Sequence, residues 1–265
     1  MVCEPLQHSR HRGLTARLAA CALLAASALP TFAQNPETIE RVKPSIVAVG
    51  TFERTRNPQF SFAGTGFAVG NGLLIATNEH VVAKALDTER NERLAIAIRG
   101  GSDTVTVRPA SKVASDPSSD LALLKIGGEP LPALHLGSSA KVREGEMYLF
   151  TGFPIGAVLG LTPVTHRSMI AAITPIVIPA ARADQLDARS IRRLQAGPFT
   201  VFQLDGTAYP GNSGSPVYHP QSGEVIGIVN SVFVKGTKES ILSQPSGITY
   251  AIPAEPLKAL MESAQ

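Results

Sequence analysis

Three short segments carry side chains suited to nucleophilic acyl transfer. Tyr209-Pro210-Gly211-Asn212-Ser213-Gly214-Ser215-Pro216 places a serine in a glycine-rich turn. A nucleophilic serine needs such a turn, because glycines let backbone N–H groups converge where an oxyanion forms. Gly211 and Ser213 are the natural N–H donors. In Leu73-Leu74-Ile75-Ala76-Thr77-Asn78-Glu79-His80-Val81-Val82 an apolar stretch turns polar and then returns to valines, which puts His80 at a strand end, within reach of a cleft. Asp120 abuts the apolar run LALLKI, a setting in which a half-buried carboxylate can hold a histidine in one tautomer and stabilise its cation. Asp116 competes for that role, but it precedes Pro117 and reads as a turn residue. Taken singly, each segment also fits an ordinary turn, a structural histidine or a loop acid.

Their order separates the readings. His80, Asp120, Ser213 is the chymotrypsin order, not that of subtilisin or of the α/β-hydrolases. An α/β-hydrolase would need an acid and then a histidine after the serine. Only His219 follows Ser213, with no carboxylate between them, and Ser215 breaks the G-x-S-x-G elbow. GTGFAVG is off by one from a dinucleotide fingerprint and runs into a strand; Glu79-His80 has no second histidine at zinc spacing. The expectation is chemistry without metal or cofactor. Arg182, Arg189, Arg192 and Arg193 read as a solvated helix face.

The elements that must position these residues are short strands. Ser45–Val49, the two halves of FAGTGFAVGNGLLIAT around the turn pair Asn71-Gly72, Arg93–Arg99, Thr104–Arg108 and Leu121–Ile126 form a first set. Met147–Phe150, Phe199–Leu204, Val225–Val229 and Ile248–Ile252 form a second. Helices are expected only at the periphery: a short one over Pro36–Val42, one over Arg182–Gln195 and a tail over Glu255–Glu262. Strands punctuated by Gly, Pro and Asn point to an all-β barrel or sandwich architecture.

Residues 1–33 stand apart. Arg10, Arg12 and Arg17 precede the apolar run LAACALLAASAL, which ends in Pro30-Thr31-Phe32-Ala33. That order reads as a secretory signal peptide cut after Ala33, and the run falls short of the ~20 residues of a membrane span. Cys21 in LAAC lacks the upstream apolar segment of a lipoprotein signal. Removal leaves residues 34–265, which are 232 in number and hold no cysteine, since Cys3 and Cys21 both leave. Three arginines and one glutamate leave as well, so the net charge falls from +3 to +1. That balance gives no reason to expect nucleic acid as a partner. No stretch of 34–265 is apolar for long enough to span a membrane.

GTGFAV with LLIATNEHVV, SDLALLKI, GNSGSP and ITYAIP together resemble the HtrA/Deg-like trypsin-fold serine proteases, over residues 36–265. The resemblance implies two six-stranded antiparallel β-barrels with a C-terminal helix, joined near residues 135–145. It implies His80 as general base, Asp120 as its orienting acid, Ser213 as nucleophile, and an oxyanion hole from the N–H groups of Gly211 and Ser213. It further implies protein or peptide substrates, a periplasmic or extracellular location, and it admits a trimer. By analogy with the fold, Thr207 lies at the base of the pocket for the residue before the scissile bond, with Val229, Asn230 and Ser231 on its wall. Thr207 brings no charge, so a small or medium uncharged residue is expected there rather than Lys or Arg. Asn212 stands where digestive members carry an aspartate that pairs with a freed N-terminus, so no such activation is expected.

Three departures stand out. Ser215 stands where the family usually has glycine, the stretch 179–198 is long, and the sequence ends about a dozen residues past ITYAIP, so the expectation is a protease domain without a PDZ domain. Two other activities share the same residues: an esterase or acyl hydrolase on this fold, and a catalytically silent binding module.

Overall fold

The computed structural model describes residues 36–100, 104–156, 160–176, 199–230 and 249–264. Twelve strands close into two six-stranded barrels. The first is built from β1 (Ile46–Phe52), β2 (Phe60–Val69), β3 (Leu74–Asn78), β4 (Arg93–Arg99), β5 (Val105–Asp116) and β6 (Leu121–Ile126). Its strand order is β1-β2-β3-β6-β5-β4. The second holds β7 (Met147–Gly152), β8 (Val164–Ile176), β9 (Phe199–Leu204), β10 (Pro216–Tyr218), β11 (Val225–Asn230) and β12 (Thr249–Pro253), in the order β10-β11-β12-β9-β8-β7. Every pairing within both barrels is antiparallel. Helices α1 (Pro36–Val42), α2 (Glu79–Val82) and α3 (Ala254–Ser263) complete the described elements with two single 3-10 turns. No helix among the described residues is long and apolar enough to cross a membrane.

The alternation along the strands explains this arrangement. In β1, Val47 and Val49 fill the first barrel together with Ala68, Ile75, Ile96 and Leu124. The intervening Ile46 and Ala48 face a second apolar cluster, which draws on both barrels and on Leu257 and Leu260 of α3. Burial on both faces is why IVAV and LALL are apolar without a break. Phe150, Ile170, Phe202, Leu204 and Val229 fill the second barrel. Closure removes the sheet edges, and with them the unpaired N–H and C=O groups that invite aggregation.

Strands β4, β6 and β9 and helix α1 coincide with the ranges expected from sequence. Two strands did not announce themselves. β8 is VTHRSMIAAITPI, in which His166, Arg167 and Pro175 break the alternation. β10 has three residues and opens on a proline. β5 runs past Arg108 to Asp116 through a largely polar segment. The expected helix over Arg182–Gln195 and the long stretch 179–198 lie outside the described residues.

One polar tie braces the first barrel. Buried Glu92 accepts from the Thr51 hydroxyl, from the Asp87 amide at 3.0 Å and from the Arg56 guanidinium at 2.8 Å. It thereby joins the β1–β2 loop to the α2–β4 loop. The Thr51 hydroxyl, the Asp87 amide and Arg56 pull its carboxyl down to about 2 from an ordinary 4.5. A depressed folded-state pKa means the contribution is complete above about 4.5 and is lost as pH falls toward 2. Glu92→Gln is therefore expected to destabilise the protein at neutral pH by roughly 1–3 kcal/mol. Thermal melts of both proteins should show that gap closing between about pH 4.5 and 2; a gap independent of pH would contradict the assignment.

Candidate active site

The first barrel delivers the histidine and the acid. β3 ends at Asn78 and the chain turns at once into α2, so His80 sits just past the strand end, in a single helical turn. Asp120 precedes β6, is 1% exposed and has a φ of +57°. This left-handed conformation is one that Asp tolerates better than most residues. It is held from two sides, since the Asp120 carbonyl accepts from the Glu79 amide at 3.0 Å and from the Asn78 side-chain amide at 3.0 Å. Asp116 is occupied elsewhere. Its carboxylate caps the turn by accepting from the Ser118 amide at 2.9 Å and from the Ser118 and Ser119 hydroxyls. Burial alone would raise its pKa; those hydrogen bonds outweigh it and hold the group below the ordinary value.

The Asp120 carboxylate meets three donors. Oδ1 accepts from the His80 backbone amide at 2.9 Å. Oδ2 lies 2.7 Å from His80 Nδ1 and also accepts from Asn230 Nδ2 at 2.7 Å. A carboxylate can only accept, so Nδ1 carries a proton and Nε2 is the basic nitrogen of the neutral ring. The ring is 20% exposed while the acid is buried, so the charge stays inside and the base opens outward.

The second barrel delivers the serine. Ser213 is 5% exposed and stands between Gly211, with φ +103°, and Gly214, with φ +88°. The turn is pinned at several points: Asn212 donates its amide to Tyr209 at 3.0 Å, Ser215 to Asn212 at 3.0 Å and Gly214 to Val229 at 2.9 Å. The first barrel grips it as well. Thr65 of β2 donates its amide to the Ser213 carbonyl at 2.8 Å and its hydroxyl to the Gly211 carbonyl at 2.7 Å. A side chain at Gly214 would put its Cβ 2.0 Å from the Thr65 carbonyl. Thr65 thus gives the GTGFAV segment a site role that sequence reasoning missed.

The peptide between Pro210 and Gly211 has a defined orientation. The Pro210 carbonyl accepts from the Ile155 amide at 2.7 Å. The bond is trans, since the cis peptide among the described residues is Asn57-Pro58. Carbonyl and N–H oppose each other across a trans peptide, so the Gly211 N–H turns away from Ile155.

The expected specificity residues divide. Thr207 is half-buried just past β9. Val229 and Asn230 are each 0% exposed: Val229 packs in the second barrel core, and the Asn230 amide is committed to Asp120. Ser231 lies outside the described residues. Asp205 is exposed and bound to β8, accepting from the Met169 amide at 2.7 Å and the Ser168 hydroxyl at 2.8 Å. The Met169 amide first and Ser168 second hold its pKa below the usual range. Asn212 is buried, and its side-chain amide makes no hydrogen bond among the described residues.

The chain is similar to known proteins in sequence and fold. The family model of the trypsin-like peptidase domain matches residues 64–228. A probable periplasmic serine endoprotease DegP-like of Pseudomonas putida (strain W619) is 29% identical over 219 residues, which is 83% of this chain and 38% of that protein. Its counterpart in Chlamydia pneumoniae is 31% identical over 191 residues, 72% of this chain and 32% of that protein. The chain thus spans well under half the length of these curated relatives. Among solved structures, the HtrA-type protease AlgW with tripeptide superposes with a TM-score of 0.62 at 28% identity, over 87% of this chain and 63% of that one. With two closed antiparallel barrels and these matches, the chain belongs to the trypsin-like peptidase family as an HtrA-like member.

Proposed function

We propose that this chain is a serine endopeptidase acting through an acyl-enzyme at Ser213. The observation that carries the reading is the 2.7 Å contact between His80 Nδ1 and Asp120 Oδ2, which leaves Nε2 basic. His80 Nε2 takes the Ser213 hydroxyl proton while Oγ bonds to the carbonyl carbon of the scissile peptide. The Gly211 and Ser213 N–H groups donate to the resulting oxyanion. His80 then gives its proton to the leaving nitrogen, the C–N bond breaks, and water repeats the sequence on the acyl-enzyme. Asp120 stays ionised and stabilises the imidazolium.

Residues 1–33 act as an export signal, and residues 34–265 work as the protease domain in the periplasm or outside the cell. Support comes from the charge order of the N-terminal segment and from relatives named as periplasmic. Neutral Asn212 removes the need for a freed N-terminus in activation. Thr207 forms the uncharged floor of the primary specificity pocket. Asp205, tied to Ser168 and Met169, stays off that floor.

One experiment tests activity and specificity together. The chain and its Ser213→Ala variant are incubated with a peptide library and with a simple ester, and cleavage sites are mapped by mass spectrometry. The expected result is peptide cleavage after small or medium uncharged residues, absent in the variant. Ester hydrolysis alone would make the chain an acyl hydrolase. Dominant cuts after Lys or Arg, abolished by Asp205→Ala in a folded protein, would overturn the pocket assignment.

A further inference from the structure

A cleft of about 560 Å³ opens on the first barrel, away from His80, Asp120 and Ser213. That volume falls in the range of ligand-binding clefts, ~300–1,000 Å³. Pairings Phe52↔Arg93 and Ala95↔Pro109, with Ala97↔Val107 beyond, place these residues on one sheet face. Their neighbours Val49 and Ile96 point into the barrel core, so the cleft lies on the outer face. Phe52, Val107 and Pro109 give it an apolar floor.

Its rim is cationic. Arg54 comes from the β1–β2 loop, Arg90 from the α2–β4 loop and Arg93 from the start of β4, and no acidic side chain among the described residues lines the cleft. Arg90 leans on Asp87 at 3.5 Å, while Arg54 and Arg93 join no ion pair among the described residues. The acids next to Arg54 and Arg93 in the chain are buried and already bonded. Glu53 and Glu92 are 6% and 7% exposed and are bonded by Thr55, Thr51 and Arg56. The same bonds tie together the two loops that carry Arg54 and Arg90, so the rim is pre-organised.

We propose that this cleft binds an acidic peptide segment with an apolar residue between its carboxylates. Guanidinium groups from two loops surround one apolar floor, and complementarity calls for several anionic groups around one hydrophobic one. A ligand with a single anionic head would engage only one side of that rim. The closed barrel offers no strand edge, so side chains and not main-chain ladders must supply recognition. The inference rests on the endopeptidase reading only in taking polypeptide as what reaches this surface.

Binding is measured separately from turnover, by fluorescence anisotropy of fluorescein-Glu-Asp-Leu-Glu-Asp-amide with the full chain carrying Ser213→Ala. Saturable binding is expected. Arg54→Glu with Arg93→Glu should weaken it at least about tenfold, and the peptide with Ser for Leu should also bind more weakly. Raising salt from about 0.05 to 0.5 M should weaken it several-fold. In the Ser213 background the double arginine variant should cut short peptides at the normal rate, which separates a failed cleft from a failed protease. The proposal is overturned by absence of saturable binding, by binding unchanged in the double variant, or by stoichiometric uptake of decanoate with none of the peptide.

Discussion

Replacing His80 by alanine is expected to lower kcat by on the order of 10⁴-fold or more, with the protein still folded. The physical reason lies in proton transfer. The serine hydroxyl is a weak nucleophile at neutral pH, and the general base assigned to it is His80 Nε2. The ring is only partly buried, at 20% exposure, so its loss leaves no large core cavity. KM should change much less than kcat, because the imidazole acts on the reacting atoms and not on substrate binding. Steady-state kinetics on one peptide substrate, with circular dichroism of both proteins, gives the comparison. Near-normal turnover in a folded His80→Ala variant would remove the base assigned here.

Asp120→Asn is the second large effect, also expected near 10⁴-fold in kcat. The substitution preserves shape but cannot satisfy its surroundings. Oδ1 faces the His80 amide, while Oδ2 faces both His80 Nδ1 and Asn230 Nδ2. An asparagine that keeps its oxygen toward the His80 amide turns its NH₂ on the Asn230 NH₂ and donates to Nδ1, which forces the unreactive tautomer. Flipped over, it sets NH₂ against the His80 amide instead. Either way a buried donor is left unsatisfied, so stability should also fall by roughly 1–3 kcal/mol. Asn230→Ala should have a smaller effect, since the His80 contacts to Asp120 remain. The expected signature is a changed pH profile of kcat/KM, because a donor that stabilises the Asp120 carboxylate is gone. Paired kinetics and denaturant melts test these outcomes; an Asp120→Asn enzyme with normal turnover would contradict them.

The catalytic candidates were legible because each sits in its own local context: an apolar strand turning polar, an acid against LALLKI, and a serine among glycines. What stayed hidden was set by contacts between distant residues. The link from Asn230 to Asp120 spans 110 positions and that from Thr65 to Gly211 spans 146. No local pattern reports such a pairing, so neither contact could be read from the sequence. The left-handed backbone of Asp120 escaped for the same reason, since Asn78 and Glu79 hold it from another strand end. β8 escaped because its sequence does not alternate, although its place between β7 and β9 is needed to close the second barrel.

The central claim is that Ser213 is a nucleophile activated by the His80–Asp120 pair, and covalent trapping tests it most directly. The chain is treated with a fluorophosphonate, and intact mass and peptide mapping locate the adduct. One phosphonyl group is expected, on Ser213, absent from Ser213→Ala and strongly slowed in His80→Ala. A folded, unmodified wild-type protein, or an adduct that persists in Ser213→Ala, would contradict the account.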